Sequence, residues 1–196
     1  MKKTIGFLGG TFDPIHFGHI SLAIQLLEMG GLDEVLFCPA FCSPFKGHAP
    51  PIATPEQRLE MLHLALAGIS YFRVTPVEID RGGPSYTIDT LRILKSDSKA
   101  MRLLLSEEAV SQFDLWKEPG ELIRIAPPLV GTRTGAVPLK GALGDALKKV
   151  TYRTKVIEIS STEVRDRLNK GLYCGHLIPA KTLDYIHTHR LYSYYS

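Results

Sequence analysis

Apolar positions along the chain change period repeatedly, from short unbroken runs to helical spacing and back. Residues 4–8 form an apolar run that breaks at Gly9-Gly10, and residues 18–29 then place Ile20, Ala23, Ile24 and Leu27 on one helical face. The pattern predicts a strand, a glycine loop and a helix. Residues 35–38 predict a second strand. Thr54-Pro55-Glu56-Gln57 predicts a helix start, because Thr and Gln three apart can satisfy each other's backbone donors and proline suits the first helical position. Leu59, Leu62, Leu66 and Ile69 continue that helix's apolar face.

Residues 71–79 alternate as a strand does, 86–94 have helical spacing, and 101–105 and 125–130 read as buried strands. Residues 155–159 predict a further strand, Ser160-Ser161-Thr162-Glu163 a capped helix running to Gly171, and 179–187 the last helix. Regular alternation of strand and helix implies a parallel sheet with helices on both faces, whose ligands bind beyond the carboxyl ends of the strands. The longest irregular stretch is 39–53, with four prolines and a glycine. Loops of that length frequently close over substrates.

Composition narrows the picture. A chain of 196 residues fits one domain spanning 1–196, and 44% hydrophobic content is enough to bury about 70% of the unfolded surface without a disulfide or metal staple. Cys38, Cys42 and Cys174 form no C-x-x-C pair, and the opening MKKTIGFLGG is too short an apolar run for a secretory leader, so a cytoplasmic location is expected. No stretch approaches the ~18 apolar residues of a membrane span. The net charge of +3 comes from interspersed residues rather than blocks, which argues against nucleic acid as a partner and leaves small anions as candidates.

The densest chemical signal is Gly9-Gly10-Thr11-Phe12-Asp13-Pro14-Ile15-His16-Phe17-Gly18-His19, between the first strand and the first helix. Glycines let the backbone approach a polyphosphate, and the following helix offers unpaired N–H groups and the positive end of its dipole. The spacing matches neither a P-loop nor a G-x-G-x-x-G turn. Histidines three apart share a face at a helix start. Downstream, Ser161, Thr162 and Arg165 offer hydroxyls, helix N–H groups and a guanidinium fork for phosphate oxygens.

The tetrad His16-Phe17-Gly18-His19 resembles the H-x-G-H signature of the HIGH-type nucleotidyltransferase superfamily, and the segment from Ile159 to Arg165 resembles its second motif. The longer GGTFDP-x-H-x-GH string is similar to that of the bacterial nicotinate-nucleotide adenylyltransferase family. Ser85-Tyr86-Thr87, Trp116, residues 129–135 with Arg133, and the C-terminal helix match in order, so the resemblance runs nearly end to end. It implies a doubly wound, Rossmann-like α/β fold with a small C-terminal helical portion, and transfer of AMP from ATP to nicotinate mononucleotide. Magnesium would be carried by ATP, with no metal-ligating residues of the protein's own.

By that resemblance His16, His19 and Arg165 are the catalytic groups, and Gly9, Gly10, Thr11, Phe12, Gly18, Ser161, Thr162 and Lys46 hold ATP. Thr87, Glu108, Trp116 and Arg133 meet the pyridine nucleotide. The chain departs from the family in having Phe45 where histidine usually precedes the lysine, and Ser106-Glu107-Glu108 where the family has G-x-D.

Plainer readings stand beside these. The histidines and Ser161-Thr162 can be helix-start groups, Trp116 core, Thr87 an ordinary first-turn residue and Arg133 a partner for a carboxylate at a strand end. Lys46 can be a solvated loop charge, and 185–195 helix packing followed by a frayed tail. Two other functions stay open. One is a related transferase, for phosphopantetheine or another small phosphorylated substrate; the other is a nucleotide-binding protein without turnover, motivated by Phe45 and Ser106–Glu108.

Overall fold

The computed structural model describes residues 3–44, 50–95, 99–137, 141–155 and 157–193. Strand β1, Lys3–Gly10, is followed by α1, Phe17–Met29, and then by β2, Glu34–Pro39. Helix α2, Pro55–Leu66, starts at the expected capping box, with Thr54 and Gln57 bonding each other's backbone N–H groups. The first half closes with β3, Phe72–Val74, α3, Val77–Arg81, and α4, Thr87–Leu94. The second half runs through β4, Lys99–Ser106, α5, Glu107–Ser111, α6, Pro119–Ile125, and β5, Leu129–Thr132. It continues with α7, Gly141–Lys148, β6, Thr151–Arg153, α8, Ser161–Asn169, and α9, Ala180–Thr188.

The strands make one sheet in the order β3-β2-β1-β4-β5-β6, each neighbouring pair parallel. Because side chains alternate across a strand, β1 sends Ile5 and Phe7 to one face and Leu8 to the other. On the Leu8 face lie Ile20, Ala23 and Leu26 of α1, Met61 and Leu62 of α2, Val164 of α8 and Ile186 of α9. The opposite face is covered by Ile88 and Leu91 of α4, Val110 of α5, Leu122 of α6 and Leu147 of α7. Each fully buried leucine of this kind contributes about 1.5–3 kcal/mol. Packing between α1 and the sheet is close enough that a Cβ on Gly131 would come within 2.5 Å of Leu22 Cδ1.

Three strand expectations change. The alternating run 71–79 is a strand only over Phe72–Val74 and then becomes α3. Pro76 has no N–H to give a ladder, and its backbone instead caps the helix. The run 125–130 is split: Ile125 ends α6, Pro127-Pro128 breaks the chain, and β5 begins at Leu129. The strand expected at 155–159 falls earlier, at Thr151–Arg153. Both backbone groups of Lys155 are taken by the Gln25 side chain of α1, its N–H at 2.6 Å and its carbonyl at 3.0 Å, in place of a ladder. Among the described residues no helix is long and apolar enough to cross a membrane.

Candidate active site

The connection after β1 leads outward to β2 and β3, whereas β4, β5 and β6 lie on its other side. The order therefore reverses between β1 and β4, and a crevice opens where their carboxyl ends part. A cleft of roughly 270 Å³ occupies that place, floored by Gly9 and Gly10 at the end of β1 and Ser106 at the end of β4.

One wall is the loop between β1 and α1. Phe12 turns the chain with φ 51°, in the left-handed region, and is nevertheless buried; its ring lies where a Cβ on Gly10 would approach to 2.9 Å. His16 is the N-cap of α1, and its ring stacks on that of His19 with centroids 3.7 Å apart. The His19 ring meets Phe12 edge to face at 5.0 Å, and His19 Nδ1 accepts the His16 backbone N–H at 3.3 Å. His16 is only 5% exposed, and its Nδ1 has no hydrogen-bond partner among the described residues. Burial pushes its pKa down to about 4, so the ring is neutral at physiological pH. Gly18 makes room for it, since a Cβ there would stand 3.0 Å from His16 Nδ1 and 3.2 Å from the Ile157 carbonyl.

Distant segments fix this loop. The Asp13 carboxylate accepts the Ile52 and Ala53 N–H groups at 2.9 and 3.1 Å and the Tyr192 hydroxyl at 2.7 Å. Arg58, on α2, is completely buried and donates to the carbonyls of Thr11, Phe41 and Ala53. Its guanidinium places a positive charge beneath the loop, with desolvation pulling its pKa below the usual arginine range. From α8, Ser161 Oγ donates to the Pro14 carbonyl at 2.9 Å, and Arg165 donates to the Asp13 carbonyl at 2.7 Å and to Thr162 Oγ1 at 3.1 Å. Ser160 caps α8 by accepting the Glu163 N–H.

The opposite wall carries Thr87, at the first position of α4, with Glu108 and Trp116. Trp116 is half-buried against Phe113, ring centroids 5.3 Å apart. Beside it, Lys117 pairs with Asp89 at 2.9 Å and sits 4.9 Å from the Tyr86 ring centroid. Ser85 receives the Phe41 N–H on its hydroxyl, tying this wall to the long loop. Where the G-x-D pattern is missing, Ser106 instead caps α5 by accepting the Ala109 N–H at 3.2 Å.

The structure thus brings Gly9, Gly10, Thr11, His19, Thr87, Glu108 and Trp116 to one cleft. Phe12, His16 and Gly18 belong to its loop wall, and Ser161, Thr162 and Arg165 join that wall through Pro14 and Asp13. Lys46 and Phe45 lie outside the described residues. Arg133 is absent from the residues lining the cleft: its guanidinium pairs with Glu158, and its N–H donates to Glu107. Asp13, Arg58, Tyr192 and Lys117 were not singled out by the sequence. Only Asp13 had a local signal, lying inside the motif itself.

A family model described as cytidylyltransferase-like matches residues 7–167. A Dehalococcoides mccartyi protein named as a probable nicotinate-nucleotide adenylyltransferase is 37% identical, with 95% of this chain and 96% of that one covered. A Dictyoglomus turgidum protein of the same name is 38% identical, with 96% and 95% covered. The fold is similar to that of a Plasmodium falciparum nicotinic acid mononucleotide adenylyltransferase complexed with NaAD, with a TM-score of 0.75, 22% identity and 97% of each chain covered.

Proposed function

The chain belongs to the cytidylyltransferase-like family, and on that premise we propose that it transfers AMP from ATP to nicotinate mononucleotide, giving deamido-NAD and pyrophosphate. The observation that carries the reading is the stacked His16–His19 pair at the start of α1, beside the glycine-floored cleft at the sheet's switch point. Near-full-length likeness to proteins named for this activity supports the choice of acceptor over phosphopantetheine.

In this reaction an oxygen of the acceptor's 5′-phosphate forms a bond to the α-phosphorus of ATP while the bond from that phosphorus to the departing pyrophosphate breaks. A phosphate monoester is already a nucleophile at neutral pH, so the protein's work is positioning and neutralising charge. His16 and His19 act as hydrogen-bond donors to the α- and bridging phosphates. The α1 N-terminus supplies backbone N–H groups, and Arg165 adds a fixed cation for the departing phosphates. Arg58 contributes a buried positive charge below the same loop. Ser161 and Thr162 complete the grip on the triphosphate, and Lys46 belongs to this half of the reading through the resemblance alone.

On the other wall, Trp116 stacks on the pyridine ring, Thr87 meets its carboxylate, and Glu108 accepts from a ribose hydroxyl. Arg133 belongs to this half of the reading through the resemblance alone.

Magnesium enters carried by ATP. Among the described residues no three His, Cys, Asp or Glu side chains group closely enough to hold a metal ion, and the Asp13 carboxylate is already engaged by three donors. In this reading the ion comes with the triphosphate, and its chemistry would be to neutralise the leaving pyrophosphate. A cytoplasmic location belongs to the same reading, supported by three unpaired cysteines, two of them buried. The test is to supply ATP labelled at its α-phosphorus with nicotinate mononucleotide. Label recovered in a dinucleotide supports the proposal, and label recovered only in AMP or ATP refutes it.

A further inference from the structure

Tyr192 lies 179 positions from Asp13 in sequence, yet its hydroxyl donates to Asp13 Oδ1 at 2.7 Å. The chain reverses after α9: the Leu191 N–H donates back to the Ile186 carbonyl at 2.9 Å, and Arg190 and Tyr192 both take left-handed backbone angles, φ 52° and 62°. Residues with a Cβ rarely adopt that region, so packing must hold them there. The turn returns the Tyr192 ring, 7% exposed, beneath the loop that carries the two histidines.

We propose that Tyr192 is a positioning residue for the ATP side of the cleft, acting through Asp13 on Arg165. The proposal rests on the adenylyltransferase reading. Asp13 Oδ1 accepts from the Tyr192 hydroxyl and the Ala53 N–H, while Oδ2 accepts from the Ile52 N–H. So held, Oδ2 forms only a long ion pair with Arg165 Nη1, at 4.0 Å and without a hydrogen bond, and Arg165 makes its hydrogen bonds to two neutral acceptors, the Asp13 carbonyl and the Thr162 hydroxyl. Its charge is thereby kept for the triphosphate. Without the Tyr192 hydroxyl, Oδ1 loses one of its two donors, and the carboxylate is free to turn and close the long ion pair with Arg165 to hydrogen-bond distance. A carboxylate in that place competes with phosphate for the guanidinium. Burial and the neighbouring Asp13 carboxylate raise the Tyr192 pKa, so its hydroxyl remains a donor throughout the working range.

The test is Tyr192→Phe, which removes one oxygen and keeps the buried ring. Steady-state constants for both substrates are measured below the variant's unfolding transition, and calorimetry gives the Kd of a non-hydrolysable ATP analogue. The expected result is a rise of about fivefold or more in KM for ATP and in that Kd, with KM for nicotinate mononucleotide within about twofold of the parent. Adding Asp13→Asn to Tyr192→Phe removes the charge that competes for Arg165 and should bring both ATP constants back toward the parent's, a rescue that a merely loosened loop would not show; its absence would overturn the proposal. A folded Tyr192→Phe protein with unchanged ATP constants, or with both substrates weakened equally, would overturn the proposal. Failure of the parent to turn over would refute the function instead, and the calorimetric comparison would still decide the role of Tyr192.

Discussion

The rings of His16 and His19 lie 3.7 Å apart with 25° between their planes, and Nδ1 of His19 is held by the backbone N–H of His16. Replacing either ring therefore removes one donor and the surface on which the other is ordered. His19→Ala should lower kcat on the order of 10²–10³-fold while the circular dichroism spectrum and unfolding midpoint stay close to the parent's. Near-normal turnover in that variant would remove the histidine tetrad from the mechanism.

Gly18→Ala tests the same pair from the backbone side. The new Cβ would press on His16 at 3.0 Å and on the Ile157 carbonyl at 3.2 Å, so the ring must move. Because small displacements of catalytic groups cost disproportionately, kcat/KM should fall at least about tenfold with the helix content retained. Unchanged kinetics would mean that the position of His16 is not critical.

The depressed pKa of His16 gives a stability signature. In the unfolded chain the ring takes up a proton near 6.5, and in the folded protein burial delays uptake to about 4. The unfolded state thus binds more protons between these values. His16 contributes stability that is fully present above about 6.5 and is lost as pH falls toward 4, at most roughly 3 kcal/mol. In His16→Gln the denaturant midpoint should fall less steeply across that window than in the parent. Parallel curves would contradict a buried neutral His16.

Arg58→Ala should be among the most damaging substitutions outside the reacting groups. It leaves the carbonyls of Thr11, Phe41 and Ala53 without their donor and opens a cavity under the loop, a combined cost of about 3–5 kcal/mol. Urea unfolding would read the loss directly. A change below about 1 kcal/mol would show that the carbonyls find other partners.

These effects were unequally visible in the amino-acid order. The phosphate loop was legible because its glycines, histidines and helix start are contiguous, so local geometry alone brings them together. The parallel sheet with helices on both faces followed from period changes at β1, α1, β2, α2 and β4, whereas the order of the strands came only with the folded chain. The run 71–79 misled because alternation ignores the missing N–H of Pro76, and 155–159 because Gln25, far away in sequence, takes the Lys155 backbone groups. Arg58 reads as one more charge on a helix of mixed polarity. Its burial depends on carbonyls from three separate loop positions that only the folded chain assembles. Tyr192, expected within a frayed tail, is buried for the same reason: its partner lies at the other end of the chain. Arg133 matched by order along the chain, but order does not fix direction, and its side chain runs to Glu158.

The most direct measurement is pyrophosphate release with ATP and magnesium, offering nicotinate mononucleotide, its amide counterpart and phosphopantetheine in parallel. Release is expected with nicotinate mononucleotide, accompanied by deamido-NAD, and none with phosphopantetheine. Release with phosphopantetheine alone, or no release with any of the acceptors while an ATP analogue still binds, would contradict it.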